Sequence, residues 1–263
     1  MTLRFSANIS FMFTERPFLE RFAAAAAAGF GAVECHFPYD HAVEDLRHAL
    51  NDSGLVLNLI NTAAGDASAG EWGRAALPGR EREFRADLDA ALYYARALGA
   101  GSIHVMSGVV APEGRQRALE TYVENLGLAA PLAERGGVTL LVEPLNVRDK
   151  PDYLLARSDD VIHTIQRVGA PNVRLLFDVY HVQVSEGDLM TRLARHLPLI
   201  GHVQIAAVPS RAEPDEGEVH YPAILAELER LGYSSWVGCE YKPRGRTEDG
   251  LGWLARLAAE PGE

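Results

Sequence analysis

The chain has 263 residues, 48% of them hydrophobic, and a formal net charge of −11. That charge disfavours nucleic acid or an anionic membrane as partner, since both require a basic face; an anionic small substrate needs only a local cation. Two cysteines, Cys35 and Cys239, make no disulfide framework, and they read as buried thiols in a reducing cytoplasm.

Short apolar strands alternate with amphipathic helices along the whole chain. The first strand is read at Phe5–Ser10, followed by a helix that Pro17 opens and Gly29 stops. MTLRFSANIS shows no charged segment running into an apolar one, so no secretory leader is expected. The alanine run Ala23–Gly29 is too short to span a bilayer. A strand at Ala32–Phe37, a helix near Val43–Asn51 and a strand at Val56–Asn61 follow. Thr62–Gly79 is the one long irregular insertion, with four glycines. Loops of that length in a compact domain are usually functional, and Gly65, Asp66, Gly70, Glu71 and Trp72 mark it as a candidate lid.

A helix from about Arg80 to Leu98 carries Phe84, Leu88, Ala91, Leu92 and Ala95 at three- and four-residue steps. Strands are then expected at Ser102–Ser107, Val138–Leu145, Val173–Val179, Leu199–Ala206 and Trp236–Tyr241. The helices between and after them are expected at Arg115–Arg135, Asp159–Val168, Leu189–Leu197, Pro222–Leu231 and Thr247–Ala259. Eight strand–helix units, with no glycine-rich dinucleotide fingerprint after the first strand, predict one closed (β/α)8 barrel domain, a TIM barrel, over residues 1–263.

Four of these strands share an oddity. VTLLVEPLN, VRLLFDVYH, LIGHVQIA and WVGCEY each deliver one oxygen-bearing side chain near the end: Glu143, Asp178, Gln204 and Glu240. An unpaired carboxylate is costly at the tip of a buried strand. In this barrel the strand C-termini form the active-site face, and strands five to eight are neighbours there. Three carboxylates brought together repel, so one takes a proton or a cation sits between them. An all-oxygen set favours Mg2+ or Mn2+ over Zn2+.

The surrounding strand tips supply further candidates. His181 lies just past the sixth strand, and His202 and His104 have no settled role. Arg211 and Lys242 follow strands seven and eight and suit a substrate carboxylate, whereas Arg244 and Arg246 read as surface charge. Asn8, at the end of the first strand, is expected to line the pocket, with Glu34, His36 and Asn61 as weaker candidates.

VEPLN, FDVYH, HVQIA and GCEYKP, in that order, resemble the hydroxypyruvate isomerase family of xylose-isomerase-like barrels. The resemblance extends through RFSANIS, FPYD, AGEWG, PGRE and EPDEGE and so covers essentially the whole chain. MFTERPF, NTAAGD, EWGRAALPGRE, HVMSGVV and EYKPRGRTEDGLGW are more similar to the 2-oxo-tetronate isomerase branch. The resemblance implies an aldose–ketose-type isomerisation of a small hydroxy-oxo acid, a 2-oxo-tetronate or hydroxypyruvate, through an enediolate. It implies Glu143 and Glu240 as the acid/base pair, and Glu143, Asp178, Gln204 and Glu240 around a divalent metal. The alternative is a ketose 3-epimerase or isomerase of neutral sugars. Those epimerases carry a histidine where this chain has Gln204, which weighs against that alternative and lowers the metal affinity expected. A DNA-repair nuclease of the same superfamily needs a histidine-rich zinc site and a basic face, which this chain lacks. A homo-oligomer is compatible with all of these readings.

Overall fold

The computed structural model describes residues 3–259. Eight parallel strands close into a barrel in sequence order, the eighth pairing with the first. They are β1 Arg4–Asn8, β2 Ala32–Cys35, β3 Val56–Asn61, β4 Ser102–His104, β5 Thr139–Val142, β6 Val173–Asp178, β7 Ile200–Ile205 and β8 Trp236–Cys239. The outer layer is α1 Glu20–Ala27, α2 Val43–Ser53, α3 Glu81–Leu98, α4 Arg115–Glu134, α5 Ser158–Val168, α6 Val179–Ser185, α7 Leu189–His196, α8 Tyr221–Arg230 and α9 Gly252–Ala259.

The helices form for local reasons. In α3 the buried residues are Phe84, Leu88, Ala91, Leu92 and Ala95, one stripe facing the barrel, and Gly99 ends the helix at φ 74°. The main core lies between this helical layer and the outward faces of the strands. A second, small cluster of Leu59, Leu141 and Leu176 fills part of the barrel interior.

Strand alternation then sets the site. Leu141, Leu176, His202 and Gly238 each stand two residues before Glu143, Asp178, Gln204 and Glu240. A two-residue step keeps a side chain on the same face, so each site residue stands one layer above an inward-facing one.

Several boundaries differ from expectation. β5 stops at Val142 and β8 at Cys239, so Glu143 and Glu240 lie just past their strands; Pro144 has no N–H to continue the β5 ladder. The first helix starts at Glu20, three residues after Pro17, and a single 3-10 turn at Thr247–Gly250 precedes α9. The insertion after β3 is partly ordered: Asp66 caps a short turn at Ala67–Ala69, and Gly73 bridges to Ser107. The helix α6 was not expected. Its valines, Val179, Val182 and Val184, disfavour a helix in isolation, and their burial against the barrel overrides that preference for Val179 and Val182. Cys35 and Cys239 are buried free thiols. No helix among the described residues is long and apolar enough to cross a membrane.

Candidate active site

The mouth of the barrel opens into a cavity of about 540 Å³. Glu143, Gln204, Glu240, His181, Arg211 and Lys242, all named from sequence, line it, and so does Trp72. Asp178 is fully buried beside it. It ends β6 and caps α6, accepting a bond from the Tyr180 backbone N–H at 2.8 Å. The unforeseen α6 therefore starts on Asp178 and carries His181 on its first turn, with His181 Nε2 3.6 Å from Asp178 Oδ2 and 4.0 Å from Glu143 Oε1.

Two expectations are corrected. Asn8, expected to touch substrate, does not line the cavity: its amide donates to Glu34 Oε1 at 3.3 Å and to Glu240 Oε2 at 3.1 Å. Of the lid candidates only Trp72 reaches the cavity. Glu71 is turned away into bonds from the Asp66 N–H, Arg74 and Arg80, while Gly65 and Gly70 serve turns at φ 87° and 82°. Gly73 is demanded by close packing as well as by φ 102°, since a Cβ there would meet the Met106 carbonyl at 2.3 Å.

Below the cavity sits a buried hub that sequence reasoning undervalued. Glu34 receives Ser6 Oγ at 3.1 Å, Asn8 Nδ2 and Gln204 Nε2 at 2.7 Å, and lies 2.8 Å from His202 Nε2. Gln204 Nε2 also donates to Glu240 Oε2 at 2.5 Å. Two carboxylates on that side of the amide require its N–H2 to face them, which leaves Gln204 Oε1 buried without a partner. A charged residue inside a short apolar strand was the available signal for Glu34. Lys150, also missed, lines the cavity over Trp72.

The two glutamates stand in opposite electrostatic settings. Burial raises the Glu143 carboxyl well above the usual range, and the neighbouring charges of Glu240 and Asp178 raise it further. Burial also pushes Asp178 up to about 7, against the opposing pull of Arg211. For Glu240 burial acts upward too, but His36 and Arg211 outweigh it and hold the group at about 2. Arg211 donates to Glu240 Oε1 at 2.7 Å and His36 Nε2 lies 3.5 Å from the same oxygen. Burial lowers His104 and His181 to about 3, so both are neutral near pH 7. The Asn146 backbone N–H donates to His181 Nδ1 at 3.2 Å, so the ring proton lies on Nε2, facing the carboxylates.

The site fits a hard divalent cation. Glu143 Oε1, Asp178 Oδ2 and Gln204 Oε1 are buried oxygens without hydrogen-bond partners. His181 lies within 4.8 Å of the Glu143 and Asp178 oxygens, but with its proton on Nε2 it faces them as a donor and adds no ligand atom. Glu240 is set apart from these, because Asn8 and Gln204 occupy one of its oxygens and Arg211 the other.

A closed eight-stranded barrel with carboxylates and histidines gathered at its C-terminal mouth is the architecture of a barrel enzyme, and the chain belongs to the xylose isomerase-like TIM barrel family, whose model matches residues 22–257. Within that class it is a member of the hydroxypyruvate isomerase family and is an isomerase. It is 52% identical over 252 residues to a 2-oxo-tetronate isomerase of Cupriavidus necator, covering 95% of this chain and 97% of that one. It is 44% identical over 254 residues to the hydroxypyruvate isomerase of Escherichia coli, covering 96% and 98%. A crystal structure described as an AP endonuclease, family 2, from Brucella melitensis superimposes with a TM-score of 0.95 at 47% identity, covering 97% of this chain and 99% of that one.

Proposed function

We propose that this isomerase acts on small hydroxy-oxo acids, a 2-oxo-tetronate or hydroxypyruvate, exchanging a carbonyl with the neighbouring hydroxyl through an enediolate. The observation that carries the reading is two glutamates in contrasting surroundings at one cavity: Glu240, paired with Arg211 at 2.7 Å, and Glu143, whose buried Oε1 has no partner and whose carboxyl burial pushes upward. Such a pair suits a 1,2-isomerisation, with one carboxylate to take the carbon-bound proton and one carboxyl to return it. The ionised Glu240 takes the proton from the hydroxyl-bearing carbon. That C–H electron pair becomes the enediolate double bond, and the former carbonyl oxygen takes up the charge. A proton held at a carboxyl is then returned to the neighbouring carbon, while the hydroxyl gives its proton to the former carbonyl oxygen and becomes the new carbonyl. His181 Nε2–H is a donor for a substrate oxygen.

Glu143, Asp178 and Gln204 Oε1 are the groups that would hold a divalent cation, Mg2+ or Mn2+, and Glu240 would join them only if Arg211 released it. Bound there, the ion would supply positive charge toward the enediolate oxygens. The homologues named as isomerases of a 2-oxo-tetronate and of hydroxypyruvate support the substrate class.

The test is turnover by the purified protein of hydroxypyruvate, a 2-oxo-tetronate and neutral ketoses, with EDTA and with Mg2+ or Mn2+ restored. Preference for the acids, loss on chelation and recovery with metal are expected. Turnover confined to neutral ketoses would replace this reading with the sugar epimerase or isomerase alternative.

A further inference from the structure

Of the chain's 25 basic residues only two are lysines, Lys150 and Lys242, and both line the active-site cavity. Positive charge elsewhere is carried by arginine, and Arg211 is the third basic residue on the cavity wall. Arg211 is already committed: it binds Glu240 at 2.7 Å, faces Asp178 at 3.7 Å and lies against the rings of Tyr180 and Phe11. The lysines are not committed. Among the described residues neither ammonium has a carboxylate within 4.0 Å. Lys150 Nζ rests 3.5 Å from the centre of the Trp72 ring, and Lys242 Nζ lies 5.8 Å from that of Phe11.

An aromatic face holds an ammonium without consuming its hydrogen-bonding capacity. A lysine is a compact charge with three donors on a flexible stem and can turn to meet an incoming anion, which a guanidinium fixed in a fork cannot do as freely. The rest of the wall presents Asp149 and Glu240, whose charges repel a substrate carboxylate.

Resting on the proposed function, we infer that Lys150 and Lys242 are the specificity-determining residues of this site: together they receive the substrate's carboxylate and turn its hydroxy-carbonyl end toward Glu143 and Glu240. The preference for an acid over the neutral sugar of the same length resides in these two side chains. Trp72 contributes by holding Lys150 in place from the β3–α3 insertion.

The experiment compares wild type with Lys150→Met, Lys242→Met and the charge-keeping Lys150→Arg. Hydroxypyruvate is set against dihydroxyacetone, which lacks the carboxylate. Each Met variant is expected to raise KM for hydroxypyruvate about 10–100-fold, the worth of one charged hydrogen bond. Its kcat should change less than about threefold if only binding is lost, and the acid-over-neutral preference should collapse. Lys150→Arg should recover part of the KM. An unchanged KM, a fall in kcat alone, or equal losses on both substrates would overturn the inference. A binding readout separates it from the proposed function. Millimolar glycerate should raise the Tm of wild type but not of Lys150→Met, and glycerol should raise neither. If wild type turns over neither substrate yet keeps this glycerate response, the carboxylate site stands and the isomerase reading falls. If glycerate stabilises wild type and Lys150→Met alike, the lysine inference falls whatever the activity.

Discussion

Glu143 and Glu240 are the same residue type in contrasting surroundings. Glu143 has a buried oxygen with no partner, whereas Glu240 has both oxygens occupied. Replacing either with Gln keeps the shape and removes the proton transfer proposed for it, so kcat should fall about 10²–10⁴-fold. Exchange of substrate C–H with solvent deuterium measures this directly, and near-normal exchange in either variant would remove that glutamate from the mechanism. Beneath them, Glu34 binds Ser6, Asn8 and Gln204 and meets His202. Glu34→Ala leaves these groups buried and unpaired, and should cost about 3–5 kcal/mol of stability, read from urea denaturation.

At the scale of elements, the tips of the strands matter more than their lengths. β8 passes the hub closely: a Cβ on Gly238 would sit 2.5 Å from Glu34 Oε2. Gly238→Ala should therefore displace Glu34 and with it Gln204, lowering kcat although the added methyl faces no substrate; unchanged kinetics would show that the hub does not position Glu240. The β3–α3 insertion is tied down by Glu71, which Arg80 and the Asp66 N–H hold at about 2. A carboxylate depressed in the folded state stabilises it fully above its ordinary value of 4.5, and that contribution fades as pH falls toward 2. The Tm difference between wild type and Glu71→Gln should thus be constant from pH 7 to 5 and shrink below. A gap that widens on acidification would contradict the ion pairing seen here.

For the whole molecule, the site is a concentration of negative groups inside a chain already at −11, and binding a cation to the folded state alone stabilises it by linkage. Mg2+ or Mn2+ at about 100 times its Kd should add about 2.7 kcal/mol and raise Tm. The rise should disappear in Asp178→Asn, whose lost charge removes a buried orphan oxygen from the set. Equal rises in both proteins would place the ion elsewhere.

Alternation of apolar strands with helices, several of them closed by glycine, was sufficient to define the closed barrel, because burial on both strand faces and one helix face writes itself into residue periodicity. Carboxylates at the ends of apolar runs marked Glu143, Asp178 and Glu240 for the same reason: charge there is costly and needs a cause. Three things were decided only by the tertiary structure. The helix α6 opposes local propensity and forms because Val179 and Val182 are buried. Asn8 was turned inward by Glu34, a neighbour 26 residues away in sequence but adjacent across β1 and β2. The division of labour between Arg211, bound to Glu240, and the two uncommitted lysines depends on distances between loops after different strands, which no local pattern encodes.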